Sequence, residues 1–446
     1  MTETYAGYHK RKVPAPDPEL TAVGPETPCG EWLRRSWQPV AMASELGERP
    51  LAVTVLGEDL VLFRDRSDRI GLINRHCSHR GASLEFGIPM ERGLSCCYHG
   101  WTYDIDGTIL DTPAEPEESP IRRRLTHGAY PVQLHDGLIF AYLGPPAERP
   151  PFPVFDTSRA GAEAVTFAID MPCNWLQIYE NTQDPAHVLY LHTRMSGAQF
   201  GDASGATQAV AYRETPIGMV NIQTRRWSGH YWTRMVETIL PNANQTGAIW
   251  EAADRRKVFQ RSSLLRWMVP VDDTHTRVIG WRFFSHELDP QGLGDRTKVG
   301  KQSIDFIGQT EERSYAERQR QPGDYEVQVS QRPIAVHALE NLGTSDQGVA
   351  MLRQLLRRAI RRAAAGAAVP PPKPGAGGLI ATHCQDTVWP ADPPPPSETE
   401  DRKRLAEIGN AVANAVLASA DLDPAGRRAA ITAGLSALLA PSKASV

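Results

Sequence analysis

Short apolar runs separated by turn-forming residues dominate residues 50–144. Runs such as Leu51–Leu56 and Leu60–Phe63 are bounded by Gly, Asp and Asn, which is typical of short β-strands. The pair Asp106-Gly107 lies between apolar flanks and predicts a hairpin turn. The pattern therefore predicts an all-β unit in this part of the chain.

The pattern changes after residue 155, where strand-like and helix-like segments alternate. Residues 174–191 are helical in part, and a final Leu-, Arg- and Ala-rich helix is predicted over Ser345–Ala365, with Gly366 as its C-cap. Its five arginines predict a solvated face or a subunit contact. The strand-like segments between these helices are Val210–Arg213, Met219–Thr224, Tyr231–Ile239, Lys257–Phe259, Ser263–Val269 and Val278–Phe284.

Two proline-rich breaks divide the chain into parts. The first follows Gly144, and the second begins at Val369. Beyond the second break, two Ala-rich stretches predict helices over 400–418 and 425–439. The predicted organisation is an N-terminal arm, an all-β domain, a linker, a mixed domain, and a Pro-rich linker with a helical tail. Their bounds are 1–34, 35–145, 146–154, 155–368 and 369–446.

Composition excludes several classes of protein. Of the 446 residues, 41% are hydrophobic and 22% charged, which argues against wholesale disorder, and the net charge of −4 argues against nucleic-acid or anionic-membrane binding. No apolar run reaches the roughly 18–20 residues of a membrane span, and the start of the chain lacks a secretory pattern. Six unevenly spaced cysteines do not form a disulfide framework. We therefore expect a cytoplasmic protein.

Two short arms each carry one thiol and one imidazole. The first is Cys77-Ser-His79-Arg-Gly and the second is Cys96-Cys-Tyr-His99-Gly-Trp. A zinc finger usually has a cysteine pair and a histidine pair, whereas these two arms are equivalent. Two thiolates on one iron and two imidazoles on the other would make a [2Fe–2S] centre of the Rieske type. A structural zinc site is the alternative.

The arms resemble those of Rieske proteins. The respiratory members of that family carry an additional cysteine pair, and this chain has Ala82 and Tyr98 at those positions. The bracing disulfide is therefore absent, which resembles the oxygenase and ferredoxin branch. Cys97 lies beside Cys96 but outside the ligand position of the motif.

A second group of polar residues follows in the mixed domain. His187 and His192 lie close in sequence, and two imidazoles with one distant carboxylate can form the facial triad of a non-haem Fe(II) oxygenase. Their spacing of five would turn them about 140° apart on an ideal helix. We therefore predict that the helix ends, loosens or bulges between them.

The run Asp184-x-x-His187-x-x-x-x-His192 resembles the mononuclear iron motif of Rieske oxygenases. The resemblance implies that the histidines are iron ligands and that Asp184 bridges to the Rieske histidine of a neighbouring subunit. Asn181 matches a polar residue near the iron. Taken alone, Asp184 before Pro185 is a helix N-cap, and both roles are compatible.

The third iron ligand is predicted from a further resemblance. Residues 321–346 are similar to the end of catalytic domains of the phthalate-dioxygenase type, and the match gives the ligand role to Asp324. Glu326 is the second candidate and Glu312 the third. Gly323 departs from the family, whose members usually have Gln before this aspartate.

The resemblance covers roughly residues 30–365 and identifies the chain as similar to the α subunit of Rieske non-haem iron aromatic ring-hydroxylating oxygenases, in the phthalate-dioxygenase-like branch. It implies an α+β fold: an all-β Rieske domain, then a catalytic domain with an antiparallel sheet flanked by helices, of the helix-grip type. It also implies a [2Fe–2S] cluster, a mononuclear Fe(II) and O2.

The same resemblance implies that NAD(P)H electrons arrive through a separate flavin or iron–sulfur reductase, with a ferredoxin as a further candidate partner. No Gly-x-Gly-x-x-Gly motif for NAD or flavin follows a strand in this chain. Electron passage between subunits implies a homo-oligomer, with a trimer as the expected form. No nucleic acid or membrane partner is expected.

Three functional classes follow. The first is an oxygenase component that hydroxylates an aromatic compound, which could carry a carboxylate or an ether group. Its alternative is monooxygenation or O-dealkylation of a related small compound. The second is a Rieske electron carrier, which would not need the second ligand set. The third is a zinc protein, which the equivalent arms disfavour.

Overall fold

The computed structural model describes residues 4–159, 161–195, 200–367 and 371–439. Strands lie at β1 Gln38–Met42, β2 Leu51–Val55, β3 Glu58–Arg64, β4 Ile70–Asn74, β5 Ile88–Pro89, β6 Leu94–Ser95, β7 Thr102–Tyr103, β8 Ile109–Asp111, β9 Ala129–Tyr130, β10 Val132–His135, β11 Leu138–Ala141, β12 Glu163–Met171, β13 Gln208–Thr215, β14 Gly218–Trp227, β15 His230–Ile239, β16 Ala243–Thr246, β17 Lys257–Arg261, β18 Leu264–Pro270, β19 Thr276–Phe284 and β20 Gln385–Pro390.

The α-helices are short in the first half of the chain and long near its end. They lie at α1 Pro18–Thr21, α2 Pro28–Leu33, α3 Ile121–Arg124, α4 Trp175–Asn181, α5 Pro185–Leu189, α6 Tyr315–Arg320, α7 Asp324–Ser330, α8 Gln347–Ala364, α9 Glu398–Ala418 and α10 Pro424–Leu438. None of the described helices is long and apolar enough to cross a membrane.

The first half contains three small antiparallel sheets. They have the strand orders β1-β11-β10, β2-β3-β4-β9 and β5-β6-β7-β8. The predicted hairpin is confirmed, since β7 pairs with β8 and Gly107 adopts φ +83°, which an L side chain would strain. These short strands place two loops side by side, one after β4 and one between β6 and β7.

The second half is built on one large antiparallel sheet, and the predicted α+β fold is confirmed. Its order is β12-β19-β18-β16-β15-β14-β13, and β20 pairs with both β15 and β17. The six strands predicted here are all present, whereas β12, β16 and β20 were not predicted. Helices α4 and α8 pack with the N-terminal arm on one side of the fold, in a core that includes Trp32, Trp175 and Leu352.

The tail after residue 371 is part of this sheet. Its two predicted helices are confirmed as α9 and α10, but the strand before them corrects the description of this region as a linker and helical tail. Six residues of β20 pair with β15, from His230 opposite Pro390 to Met235 opposite Gln385. Helix α9 covers β13 and β14, with Val412 in an apolar cluster that also contains Ile222.

Candidate metal centres

The two cysteine–histidine arms form loops with the same backbone geometry. In the first loop the Gly81 N–H donates to the Cys77 carbonyl at 2.8 Å, and in the second the Gly100 N–H donates to the Cys96 carbonyl at 3.0 Å. Both glycines have positive φ, +75° and +72°. The loops are therefore equivalent in structure, as the sequence predicted from their residue types.

The four side chains of these loops differ in exposure. Cys77 and Cys96 are buried, while His79 and His99 are half-buried with ring centroids 4.5 Å apart. The Cys77 Sγ lies 2.9 Å from the Tyr103 hydroxyl, and burial raises the pKa of the Cys77 thiol. An occupant of this site would therefore have its thiolate side inside the domain and its imidazole side near the surface.

The donor set fits a two-iron cluster better than one ion. The Nδ1 atom of His79 is buried without a hydrogen-bond partner, as expected for an atom reserved for a ligand. Among the described residues, two groups of potential metal ligands have all their ligand atoms within 4.8 Å of one another. Neither group contains Cys77, His79, Cys96 or His99. A single zinc ion with ligands at about 2.0–2.3 Å would need all its ligand atoms this close to one another.

The second candidate centre lies where α4, α5 and α7 meet. Asn174 caps α4, and Asp184 caps α5 by accepting from the Ala186 N–H at 3.0 Å. The predicted distortion is confirmed: α5 ends at Leu189, and the chain continues as a π-helix over Tyr190–Met195. The wider π-helical turn compensates for the five-residue spacing and directs both histidines to one point.

Asp324 meets both histidines at the start of α7. Its Oδ1 lies 3.3 Å from the His192 Nε2 and 3.7 Å from the His187 Nε2, and all three side chains have ligand atoms within 4.8 Å of one another. Two atoms each about 2.1 Å from one ion, at a right angle, would be about 3 Å apart. The group therefore matches one metal ion with its ligands on one face.

Electrostatics and hydrogen bonds prepare this group for a cation. Burial alone would raise the pKa of Asp324, but the neighbouring His192 and His187 and a hydrogen bond from Gln309 hold that pKa below its usual value. The Gln309 amide donates to Oδ2 at 2.8 Å, and the Asn181 amide donates to Oδ1 at 3.1 Å. Burial lowers the pKa of His187, which favours the neutral form of the ring, the form that ligates a metal.

The other predicted residues are placed as follows. The His187 Nδ1 contacts the Asp184 carbonyl oxygen, and the Asp184 carboxylate lies 3.7 Å from the same atom. Glu326 instead pairs with Arg313 at 2.9 Å, and Glu312 is exposed. The structure thus brings Asp324, and neither glutamate, to the histidines.

A cavity of about 80 Å³ adjoins this group. Its apolar lining includes Phe200, whose ring centroid is 4.6 Å from that of His192. Sequence reasoning missed several polar lining residues, among them Asn244, Arg266 and Gln309. Only Arg266 left a signal, as a lone charge within the apolar run of β18.

Comparisons with known proteins match the first domain and most of the chain. The profile of the Rieske [2Fe-2S] domain matches residues 36–131. The chain is 46% identical over 387 residues to the tert-butanol monooxygenase / tert-amyl alcohol desaturase oxygenase subunit of Aquincola tertiaricarbonis, covering 82% of this chain and 81% of the relative. It is 36% identical to the phenoxybenzoate dioxygenase subunit alpha of Ectopseudomonas oleovorans, over 80% and 88%.

Solved structures show the same fold. The crystal structure of dicamba monooxygenase bound to dicamba superposes with a TM-score of 0.52 at 19% identity, covering 75% of this chain and 99% of the other. This likeness concerns the order and packing of both domains.

Proposed function

The chain belongs to the Rieske non-haem iron oxygenases, as an oxygenase subunit, and on that premise we propose which residues carry the reaction and which compounds it acts on. We assign the [2Fe–2S] cluster to Cys77, His79, Cys96 and His99. We assign the iron to a facial triad whose three members are His187, His192 and Asp324.

The single observation that carries this assignment is the meeting of the three ligand atoms beside a cavity. A facial triad leaves open positions on the other side of the ion. When bound, the cluster would supply single electrons, and the iron would supply O2 activation next to the substrate.

The chain's own residues hold the ligands in place. Asn181 and Gln309 each donate to one oxygen of Asp324, so the carboxylate cannot rotate freely. The contact between the His187 Nδ1 and the Asp184 carbonyl fixes the ring so that Nε2 faces the ion. The apolar wall of the cavity excludes bulk water from the reacting region.

We propose a compact organic substrate. The cavity of about 80 Å³ holds on the order of five water molecules at ~15 Å³ each, which suits a branched alcohol better than a two-ring compound. The 46% identical relative is named for tert-butanol and tert-amyl alcohol. We therefore expect monooxygenation of a tertiary alcohol or a molecule of similar size.

Hydroxylation of an aromatic compound is the second candidate. The 36% identical relative acts on phenoxybenzoate by name, and a small single ring is the aromatic group closest to the cavity in size. Turnover of a substituted benzene in preference to tert-butanol would favour this candidate.

Electrons come from a separate reductase in this proposal, directly or through a ferredoxin, and the working form is a homotrimer in the cytoplasm. The support for a homo-oligomer is that large apolar side chains are exposed beside both centres: Phe86 and Tyr98 near the Rieske loops, and Tyr190 in the π-helix. Asp184, half-buried at the second centre, is the proposed bridge to a neighbouring subunit.

The first test is the content of iron, zinc and acid-labile sulfide per chain in freshly purified protein. About three irons to two sulfides are expected, from one cluster and one iron. Turnover of tert-butanol is then measured with NADH and a Rieske-oxygenase reductase. Zinc without sulfide would refute the proposal, and two irons to two sulfides that added Fe(II) does not raise would indicate an electron carrier.

A further inference from the structure

An arginine lies in the wall of the active-site cavity. Of the described residues that line the cavity, Arg266 is the only lysine or arginine. It lies on β18, next to Leu264 on the same wall, and it is half-buried. A guanidinium in this position requires an explanation, because a cation removed from water is costly unless an acceptor compensates it.

Two buried arginines of the same sheet have such compensation from a carboxylate. Arg234 pairs with Asp386 at 2.8 Å, and Arg282 pairs with Asp305 at 3.0 Å. No carboxylate in the described part of the chain forms an ion pair with Arg266, although Asp324 attracts it from a distance. Its positive charge is therefore available to interact with a group of a ligand that enters the cavity.

The side chain is nevertheless held in a fixed direction. Its Nε donates to the Oδ1 of Asn244 at 3.2 Å, and Asn244 lies directly opposite it on β16. Asn244 is itself fully buried and donates through its amide to Thr182. One guanidinium N–H is therefore used for positioning, and the donors on the two Nη atoms remain for a ligand.

The charge balance of the cavity also favours a ligand with an electron-rich group. An Fe(II) ion with two neutral imidazoles and one carboxylate carries a net charge of about +1, and Arg266 adds another positive charge. The wall also contains hydrocarbon side chains, with Val188 and Phe306 among them. A molecule that fits has an oxygen at one end and an alkyl or aryl group at the other.

We propose that Arg266, oriented by Asn244, is the specificity residue that binds a hydrogen-bond-accepting oxygen of the substrate and so directs its hydrocarbon end toward the iron. A hydroxyl and a carboxylate share this chemistry. The proposal rests on the assigned oxygenase function and names the group that the substrate must carry.

The test compares three compounds with the same tert-butyl group. Tert-butanol carries a hydroxyl, pivalate carries a carboxylate, and isobutane carries hydrogen in that position. For the Arg266→Gln holoenzyme we expect kcat/KM to fall about 10- to 100-fold for the oxygenated compound that is the better substrate, as for a lost charge-assisted hydrogen bond. Isobutane oxidation should change less than about threefold.

Two further readouts separate binding from folding. Calorimetric affinity for the oxygenated compound should fall together with kcat/KM, while the cluster absorbance and iron content stay at the wild-type level. Arg266→Lys, which keeps the charge but loses the fork of donors, should lose less than Arg266→Gln. The matched control is Arg277→Gln, a half-buried arginine on β19 outside the cavity.

The outcomes discriminate clearly. A larger loss for pivalate than for tert-butanol identifies a carboxylate as the preferred group, and the reverse identifies a hydroxyl. Equal losses for all three compounds, or no loss for either oxygenated one, would overturn the role of Arg266. If the wild-type holoenzyme with three irons oxidises no compound of any class, the proposed function fails instead.

Discussion

At the scale of single residues, the spacing of His187 and His192 is the strongest link between sequence and site. Five positions cannot face one ion on a regular α-helix, and the chain changes to a π-helix at Tyr190. The requirement that both imidazoles reach one metal ion therefore predicts a backbone irregularity from the sequence alone.

The first prediction concerns His187. We expect His187→Ala to abolish turnover and to lower iron from about three to about two per two sulfides, because the triad loses one ligand while the Rieske loops are untouched. Absorbance of the cluster should be unchanged. The matched control is His286→Ala, which changes an exposed histidine. Bleaching of the cluster in His187→Ala would contradict the separation of the two centres.

The second prediction concerns acid stability of the Rieske domain. Asp65 is buried, and although burial alone would raise its pKa, hydrogen bonds from the Arg69 and Gly93 N–H groups hold that pKa below its usual value. A carboxyl with a lowered folded-state pKa stabilises the fold above its unfolded pKa of about 3.9. This stabilisation is lost as the pH falls through the folded value.

We therefore expect Asp65→Asn to bleach the cluster at a higher pH than wild type during acid titration, and to reduce the pH dependence of unfolding below about pH 4. Absorbance measures the loss of the cluster, and circular dichroism measures unfolding. The control Asp68→Asn, three positions later with an 84% exposed side chain, should behave as wild type. Identical titrations of both variants would show that Asp65 does not contribute.

Sequence reasoning reached the ligand candidates and the neighbouring Asn181 and Asp184, but not Gln309 or Arg266. The two arms and the histidine pair are local patterns, so spacing alone identified them. Gln309 and Arg266 are brought to the centre only by the fold: one lies fifteen positions before Asp324, the other on a strand whose partner, β16, was not predicted. Without the sheet order, no spacing relates either residue to the histidines.

At the scale of elements, the unpredicted strands β16 and β20 share one property. They are polar and yet buried, with Asn244, Gln245 and Asp386 all at 0% exposure. Periodicity analysis finds a strand by its apolar face, and these buried polar side chains instead form hydrogen bonds with other parts of the fold, as Asn244 does with Thr182 and Asp386 with Arg234. Such strands are recognisable only when their partners are known.

The third prediction concerns the tail. Asp386 on β20 accepts from Arg234 and from the Trp232 Nε1, each at 2.8 Å, and from the Ala248 N–H at 2.9 Å. We expect Asp386→Asn to lower the free energy of unfolding by about 3 kcal/mol, because it leaves the buried Arg234 without its counter-charge. Denaturant titration of the full chain measures the change.

The control for the tail is Glu398→Gln, which removes an exposed ion pair with Arg402 in α9. It should cost less than about 0.5 kcal/mol. Equal stability of Asp386→Asn and wild type would mean that β20 does not contribute to the stability of the sheet.

The predicted solvated face of helix α8 is confirmed in part, since Arg358, Arg361 and Arg362 are exposed. Its arginines predicted a solvated face or a subunit contact, but Arg353 pairs with Glu180 and Glu340, and Arg357 pairs with Asp17. Glu180 and Asp17 lie far away in sequence, so part of the basic face is neutralised by other elements of the chain. The helix therefore fastens the N-terminal arm to the catalytic domain.

At the scale of the whole molecule, the two centres lie in separate domains, and each has partly exposed side chains. His79 and His99 are half-buried at one, and Asp184 is half-buried at the other. Exposed apolar side chains accompany both, as Phe86 and Tyr190 illustrate. This distribution is expected if the Rieske loops of one subunit meet the iron centre of the next.

The last prediction tests electron transfer between subunits. Chains with Cys96→Ser lack the cluster, and chains with His187→Ala lack the mononuclear iron, so each homo-oligomer should be inactive. Mixed oligomers contain interfaces at which an intact cluster faces an intact iron, and for random mixing of equal amounts in a three-fold ring about one interface in four has this arrangement. We therefore expect turnover of about a quarter of the wild-type level per chain.

Two controls complete this experiment. Separately purified homo-oligomers combined without subunit exchange should stay inactive, and mass measurement should give three chains per particle. Asp184→Asn on the chain that keeps its iron should remove the recovered turnover, because that chain supplies the carboxylate bridge. If mixed oligomers are as inactive as the parents, electrons pass within one chain, and Asp184 then acts only as the cap of α5.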